Sequence, residues 1–126
     1  MVNGNYSLPE NELNERLKKS PELEPAVKTP NLKVDYLNVK KAALVLRALN
    51  HKLRQQMLRM LEDNSRMTVT ELYVQLRLEQ SVASQHLAIL RRAGIVKTER
   101  DGKFIYYHIN DERLGQINQL IEHLVR

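Results

Sequence analysis

The chain has 126 residues, enough for one domain with a modest core, and no cysteine, which excludes disulfides, thiolate metal sites and thiol redox switches. No window is apolar enough to span a membrane, and the N-terminus lacks a secretory-signal pattern, so we expect a cytoplasmic protein without membrane contact. The net charge of +5 is unevenly distributed: residues 1–35 contain five Lys/Arg and six Asp/Glu, and residues 36–126 contain fifteen Lys/Arg and nine Asp/Glu. The basic character of residues 36–126 suits a polyanion partner.

Residues 1–35 are predicted to form an N-terminal arm, because all four prolines of the chain precede residue 31. The stretch NELNERLKK predicts one weak helical turn, in which Leu13 and Leu17 lie four residues apart. Two alternatives remain open for this arm, a flexible tail and a short helix packed against the body. The folded domain is predicted to cover residues 36–126.

Two helices are predicted at the start of this domain. Residues 36–49 are apolar on most sides, which is typical of a helix buried between subunits. After Asn50 comes the amphipathic stretch HKLRQQMLRMLED. Its apolar face is predicted to consist of core residues at helical spacing, namely Leu53, Met57, Met60 and Leu61.

Two more helices are predicted between residues 68 and 93. Thr68 and Glu71 fit a capping box, in which each residue binds the backbone N–H of the other. The inward residues of the helix that they begin are predicted to be Leu72, Val74 and Leu76. The next helix covers about residues 80–93 and is predicted to end at Gly94 in a left-handed cap.

A hairpin and a last helix follow. The runs IVKTER and KFIYYHIN are predicted strands joined at Asp101-Gly102, and a two-residue turn there pairs Arg100 with Lys103. This pairing predicts one packing face made of Val96, Thr98, Ile105, Tyr107 and Ile109. Asp111 is the predicted N-cap of the last helix, which carries apolar residues at helical spacing, namely Leu114, Ile117, Ile121 and Leu124.

The helix over residues 80–93 carries the functional hypothesis. At about 100° per residue, one arc of this helix is apolar and the opposite arc begins with amide and hydroxyl side chains and ends with two arginines. Glutamine pairs with base edges, adenine especially, and serine contacts bases or phosphates without bulk. The predicted base contacts are therefore Gln80, Ser81, Ser84 and Gln85. Arg91 and Arg92 are predicted phosphate contacts, whereas His86 falls on the inner arc and is predicted to be packed.

The hairpin is interpreted as a wing beside this helix. In the predicted register, Arg100 and Lys103 face each other at the tip, and their repulsion of a few tenths of a kcal/mol would be relieved by a DNA phosphate. The predicted phosphate contacts of the wing are Lys97, Arg100 and Lys103. The alternative is a solvated tip that Glu99 and Asp101 screen.

The segment from Thr68 to Ile109 resembles the winged helix-turn-helix of bacterial ArsR/SmtB-type repressors. The similarity lies in Thr68–Leu72, in Val82–Val96 with its His-Leu and Ala-Gly pairs, and in Arg100–Ile109. The resemblance implies a mostly α fold with a small β hairpin, a dimer formed by the first and last helices, and repression at operator DNA that an effector releases. The implied dimer residues are Leu44, Leu114, Ile117, Ile121 and Leu124.

Two features depart from the metal-sensing members of this family. Tyr73 and Gln75 stand where those members carry a cysteine pair, so we predict no metal there. A site formed across the dimer by His108, Asp111 and His123 is an alternative that we do not favour, because Arg113 replaces an expected ligand. Glu79 stands where the family often has a Ser/Thr cap. We predict no cofactor, and the effector remains open.

Three classes of function were weighed. The favoured hypothesis is a transcriptional regulator that binds double-stranded DNA as a homodimer. The alternative is a winged-helix protein-interaction module, which acidic residues near the proposed DNA surface favour, namely Glu79, Glu99 and Asp101. An enzyme is not expected, because the sequence has no nucleophile–base pair, no phosphate-binding glycine loop and no paired carboxylates in a credible setting.

Overall fold

The computed structural model describes residues 33–126. Residues Lys41–Arg126 form one compact unit. The helical turn predicted around Leu13 and Leu17 lies outside the described residues, and the extent of the arm remains a prediction.

Five helices and three strands follow one another within the described residues. In chain order they are α1 (Tyr36–Leu49), α2 (Lys52–Asn64), β1 (Met67–Thr68), α3 (Val69–Leu76), α4 (Gln80–Arg92), β2 (Val96–Asp101), β3 (Phe104–Ile109) and α5 (Asp111–Leu124). The mostly α fold with a small β hairpin is therefore confirmed, and α1 matches its predicted bounds residue for residue. None of these helices combines the length and apolar composition needed to cross a membrane.

Polar caps explain where the helices begin. The Thr68–Glu71 capping box is present, because Thr68 Oγ1 accepts from the Glu71 N–H at 3.1 Å and Glu71 Oε1 accepts from the Thr68 N–H at 2.8 Å. At α5 the predicted cap is wrong by one residue. Asn110 is the N-cap, and its Oδ1 accepts from the Arg113 N–H at 3.3 Å, whereas Asp111 is already helical.

The core lies between α2, α3, α4 and the base of the hairpin. Its largest fully buried side chains are Met57, Leu61, Leu72, Leu87, Leu90, Ile95 and Val96. Val74, predicted to face inward, is instead 60% exposed. Leu72 defines the inward direction of α3, and a residue two positions later points about 200° away from it.

The sheet has three antiparallel strands in the order β1-β3-β2, and the short strand β1 was not predicted. Arg100 pairs with Ile105 and Asp101 with Phe104, so the predicted pairing of Arg100 with Lys103 is wrong by two residues. The turn residues are Gly102 and Lys103, and Gly102 has the positive φ of +65° that a glycine at the first turn position adopts readily. A shift of two residues keeps every side chain on its predicted face. Val96 and Ile109 are buried there, whereas Ile105 near the tip is 49% exposed, so its predicted packing is wrong.

The end of α4 is a tight junction. Gly94 has a φ of +78°, the Ile95 N–H donates to the Leu90 carbonyl at 3.0 Å, and the Gly94 N–H donates to the Arg91 carbonyl at 2.9 Å. This pair of bonds is a Schellman motif, so the predicted left-handed cap is confirmed.

The start of α5 is bound to the same junction. The Asn110 N–H donates to the Ile95 carbonyl at 2.8 Å, and Asn110 Nδ2 donates to the Gly94 carbonyl at 3.2 Å. Arg113 Nε also donates to the Ala93 carbonyl, at 3.4 Å. The last turn of α4, the start of β2 and the first turn of α5 therefore share hydrogen bonds.

The two glycines of this region give a matched pair of substitutions. Gly94→Ala is expected to lower the free energy of unfolding by about 1–2 kcal/mol, the cost of a left-handed conformation for an L-residue. The new Cβ would also lie 3.2 Å from Arg113 Nε. Gly115→Ala lies inside α5 with open space around it and is expected to raise the free energy of unfolding by about 0.5–1 kcal/mol. Urea unfolding at one protein concentration measures both, and equal effects would contradict the argument.

Candidate nucleic-acid interface

The outer face of α4 is the main element of the candidate site. Helix α4 packs inward through Ala83, Leu87 and Leu90, which are fully buried. The opposite side bears the predicted DNA contacts, and all six are exposed, namely Gln80, Ser81, Ser84, Gln85, Arg91 and Arg92. The structure therefore brings these side chains together on one outward surface.

The turn between α3 and α4 sets the direction of this surface. Arg77 ends α3 in the left-handed region with a φ of 58°, and the Leu78 N–H donates to the Tyr73 carbonyl at 2.9 Å. Glu79 then occupies the N-cap of α4, and its side chain makes no capping hydrogen bond. The result is a helix-turn-helix with a three-residue connection.

The dimensions of α4 suit a DNA groove. Its 13 residues span roughly 20 Å at about 1.5 Å per residue, whereas the major groove is about 12 Å wide. A helix that inserts its N-terminal turns must therefore carry its last turn past the groove edge. Arg91 and Arg92 occupy that last turn, where phosphates would lie.

The wing presents its cations on different faces. Arg100 shares a face with Thr98 and Ile105, whereas Lys97 lies on the opposite face of the hairpin. Lys103 lies in the turn, and Arg100 Nε donates to the Gly102 carbonyl at 3.2 Å. The three predicted phosphate contacts of the wing are all exposed. Because they lie on different sides of the hairpin, a single DNA strand beside the wing cannot contact all three.

Arg66 anchors the wing and was missed in the sequence. Its Nη2 lies 2.9 Å from Asp101 Oδ2, its Nη1 lies 3.6 Å from Glu99 Oε1, and its guanidinium carbon lies 3.9 Å from the centre of the Tyr106 ring. The hydrogen bond to Asp101 raises the pKa of Arg66, and the charges of Asp101 and Glu99 add to this effect. Two of the three acidic residues that favoured a protein-interaction module are thus paired within the chain. Arg66 precedes β1, and a two-residue strand has no periodicity that could have signalled it.

Arg66→Gln is expected to weaken DNA binding several-fold, because Asp101 and Glu99 would then present uncompensated negative charge to phosphates. Arg59→Gln on α2 is the matched control, since it removes the same charge from another exposed position. Fluorescence anisotropy with one DNA duplex compares the two variants. An equal loss in both would assign the effect to net charge rather than to the wing.

His86 of α4 packs against Arg54 and His51 on the inner side of the helix. His86 is packed, as predicted, with its ring centre 4.7 Å from that of His51 and its Nδ1 3.1 Å from Arg54 Nη1. A guanidinium only donates, so Nδ1 accepts and the neutral His86 ring carries its proton on Nε2. Burial lowers the pKa of His86, and the neighbouring His51 and Arg54 lower it further.

The packing of His86 predicts an acid sensitivity. The unfolded chain binds a proton on His86 near the ordinary pKa of 6.5, whereas the folded protein resists protonation until lower pH. Stability is therefore expected to fall as the pH decreases through 6.5 towards the folded pKa. Thermal unfolding from pH 8 to pH 5 measures this dependence, which should flatten in His86→Asn.

The apolar surface of the domain is the candidate dimer interface. Leu44 is 54% exposed, Leu120 51% and Leu124 63%. Ile117, predicted to face a second copy, is only 6% exposed and belongs to the core of its own chain, so that assignment is corrected. Leu114 and Ile121 are half-buried against the same core. Leu120 was missed, because it flanks the apolar stripe of α5 instead of lying on it.

No group of three His, Cys, Asp or Glu side chains that could hold a metal ion occurs within residues 33–126. Asp111 and His123 lie at opposite ends of α5 in each chain. The alternative site with His108 was predicted across the dimer, and it stays an alternative that one copy does not test.

A helix-turn-helix with a polar, then cationic outer face, followed by a two-stranded wing, defines a winged helix-turn-helix protein. Residues 51–98 match the family model described as "Bacterial regulatory protein, arsR family". An uncharacterised HTH-type transcriptional regulator of Methanocaldococcus jannaschii is 36% identical over 84 residues, which cover 67% of this chain and 94% of that protein. The transcriptional activator HlyU of Vibrio cholerae is 37% identical over 94 residues, covering 75% of this chain and 86% of that protein.

Solved structures agree with this comparison. The structure of HlyU from Vibrio cholerae is 38% identical with a TM-score of 0.53, covering 71% of this chain and 97% of that one. The transcriptional repressor PagR of Bacillus anthracis is 32% identical with a TM-score of 0.54, covering 68% of this chain and 99% of that one. This chain belongs to the ArsR family and is a DNA-binding transcriptional regulator.

Proposed function

We propose that the protein binds a two-fold symmetric operator as a homodimer and represses transcription from it. Each copy would insert α4 into a major groove and rest its wing on the neighbouring backbone. The observation that carries this proposal is the outer face of α4, where uncharged Gln and Ser side chains precede Arg91 and Arg92. Repression would follow from occlusion of a promoter by the bound dimer, and the relative PagR is named a transcriptional repressor.

The exposed leucines of α1 and α5 support the dimer. Leu44, Leu120 and Leu124 are about half exposed and would each gain about 0.8–1.5 kcal/mol from complete burial, and a two-fold interface counts each of them twice. Such a dimer would hold the two α4 helices about one DNA turn apart, roughly 34 Å. The action that we propose is binding rather than catalysis, in the cytoplasm where an operator would be accessible.

The test is binding of the full chain to the DNA upstream of its own gene. We expect specific binding whose logarithmic affinity falls linearly with logarithmic salt concentration, with a slope of about −0.9 for each phosphate contacted. A scrambled duplex of equal length should bind at least about 10³-fold more weakly. Equal affinity for both duplexes, or no dependence on salt, would refute the proposal. A reporter under the same promoter distinguishes repression from activation.

A further inference from the structure

A cavity of about 520 Å³ opens beside the last turn of α4, within the range of small-molecule sites. Parts of α1, α2, α4 and α5 form its wall. Five cationic side chains line it, namely Lys41, Arg47, Arg54, Arg92 and Arg113. Apolar side chains complete the wall, among them Leu44, Val45 and Ile89, and it contains no acidic residue.

The charge of Arg54 is buried without an anion. Arg54 is 6% exposed, and its three hydrogen bonds all go to neutral groups: the Ala48 carbonyl at 2.7 Å, the Arg47 carbonyl at 3.0 Å and His86 Nδ1 at 3.1 Å. A buried charge normally has an ionic partner, because removing an ion from water is costly. Burial lowers the pKa of Arg54, but arginine stays charged in proteins. Three of its five N–H donors are used, so two remain for an anion.

The other four cations of the cavity also lack an ionic partner among residues 33–126. The ion pairs in this part of the chain join Arg66 to Glu99 and Asp101, and Arg126 to Glu122. Like charges around one cavity repel each other, and a bound anion would reverse that cost. The apolar side chains of the wall would at the same time bury a hydrocarbon body.

We propose that this cavity binds a small organic anion, with an acidic head group near Arg54 and Arg47 and an apolar body against Val45 and Ile89. Binding itself does not depend on the proposed operator function. A consequence for regulation does rest on it. Ile89, Arg92 and Ala93 belong to the end of α4, so an anion that engages Arg92 would compete with DNA phosphate for that side chain.

Calorimetry on the full chain without DNA tests the binding. The probes are decanoate, decyl phosphate and 1-naphthoate, with uncharged decanol as the control for hydrophobic contact alone. We expect saturable binding of at least one anion, at least tenfold tighter than decanol, and weakened at least tenfold in Arg47→Gln. Arg59→Gln, an exposed arginine outside the cavity wall, should bind as the unmodified protein does. Arg54→Met adds a test of the buried charge, provided that its circular dichroism is unchanged.

Several outcomes would overturn the site. These are no saturable binding by any of the three anions, decanol binding as tightly as decanoate, or an affinity of the Arg47→Gln variant equal to that of the unmodified protein. Dissociation of a dimer by the anion, seen in sedimentation, would mean that a second copy fills the cavity and would also overturn it. With operator DNA present, we expect the anion to lower DNA affinity at least tenfold. An unchanged DNA affinity would overturn the regulatory consequence alone, and absence of operator binding by the ligand-free protein would overturn the proposed function alone.

Discussion

Replacing Leu120 with Asp is expected to make the protein a monomer and to lower operator affinity by about 10²- to 10⁴-fold, the advantage that linking two binding modules provides. Leu120 is 51% exposed on the same side of α5 as Leu124, in the proposed dimer interface. The two-fold axis would place two buried carboxylates in that interface, each without a counter-charge. Sedimentation velocity measures the association, and anisotropy with the full operator measures the affinity.

The control for this change is Gln119→Asp, which adds the same charge on the opposite side of α5. The monomer should remain folded, because the fully buried side chains Met57, Leu72 and Leu87 are enclosed within one copy. Circular dichroism verifies that point. A Leu120→Asp protein that stays dimeric, or a monomer that binds the full operator as tightly as the unmodified protein, would contradict the proposed interface.

Gln85→Ala is expected to lower operator affinity by about 5- to 150-fold for each half-site while leaving non-specific affinity unchanged, since a bidentate amide–base contact is worth about 1–3 kcal/mol. Gln85 is exposed on the outer face of α4, with its neighbour Leu87 in the core. Its loss should also relax the preference at one base pair of each half-site. Competition binding with single-base operator variants measures that preference.

Arg92→Gln separates base contacts from phosphate contacts. It should weaken binding to all duplexes alike and make the salt slope less steep by about 0.9 per copy. Arg59→Gln, with the same loss of charge on α2, should change the slope little. If Gln85→Ala weakened all duplexes equally, or Arg92→Gln changed base preference, the two roles assigned here would be wrong.

Local patterns predicted the helices well, because caps and periodicity act within a few residues. The Thr68–Glu71 box and the turn at Gly94 are examples, and both depend on backbone groups close in sequence. The hairpin register was harder. Two adjacent turns, Asp101-Gly102 and Gly102-Lys103, both suit a glycine, and the choice between them depends on how the whole sheet packs.

The misses in the candidate site have a common cause. Arg54 lies three and four residues before Met57 and Leu58, on the buried side of α2, yet a charged residue there is expected at the surface. Arg66 acts through residues more than thirty positions later. Such contacts depend on tertiary structure. The predicted base-contacting residues could not be matched to particular base pairs, because the protein sequence does not reveal the operator sequence.

The hydrogen bonds of Asn110 and Arg113 to the end of α4 couple the position of α5 to that of the DNA-reading helix. Any tilt of α5 would pull on Gly94 and Ala93, and so would change the angle at which the DNA-reading helix leaves its support. If two copies join through α5, a small rotation between them becomes a change in the spacing of their reading helices. A signal would then need only to shift how the copies meet, with no rearrangement inside either one, to decide whether both half-sites are engaged together.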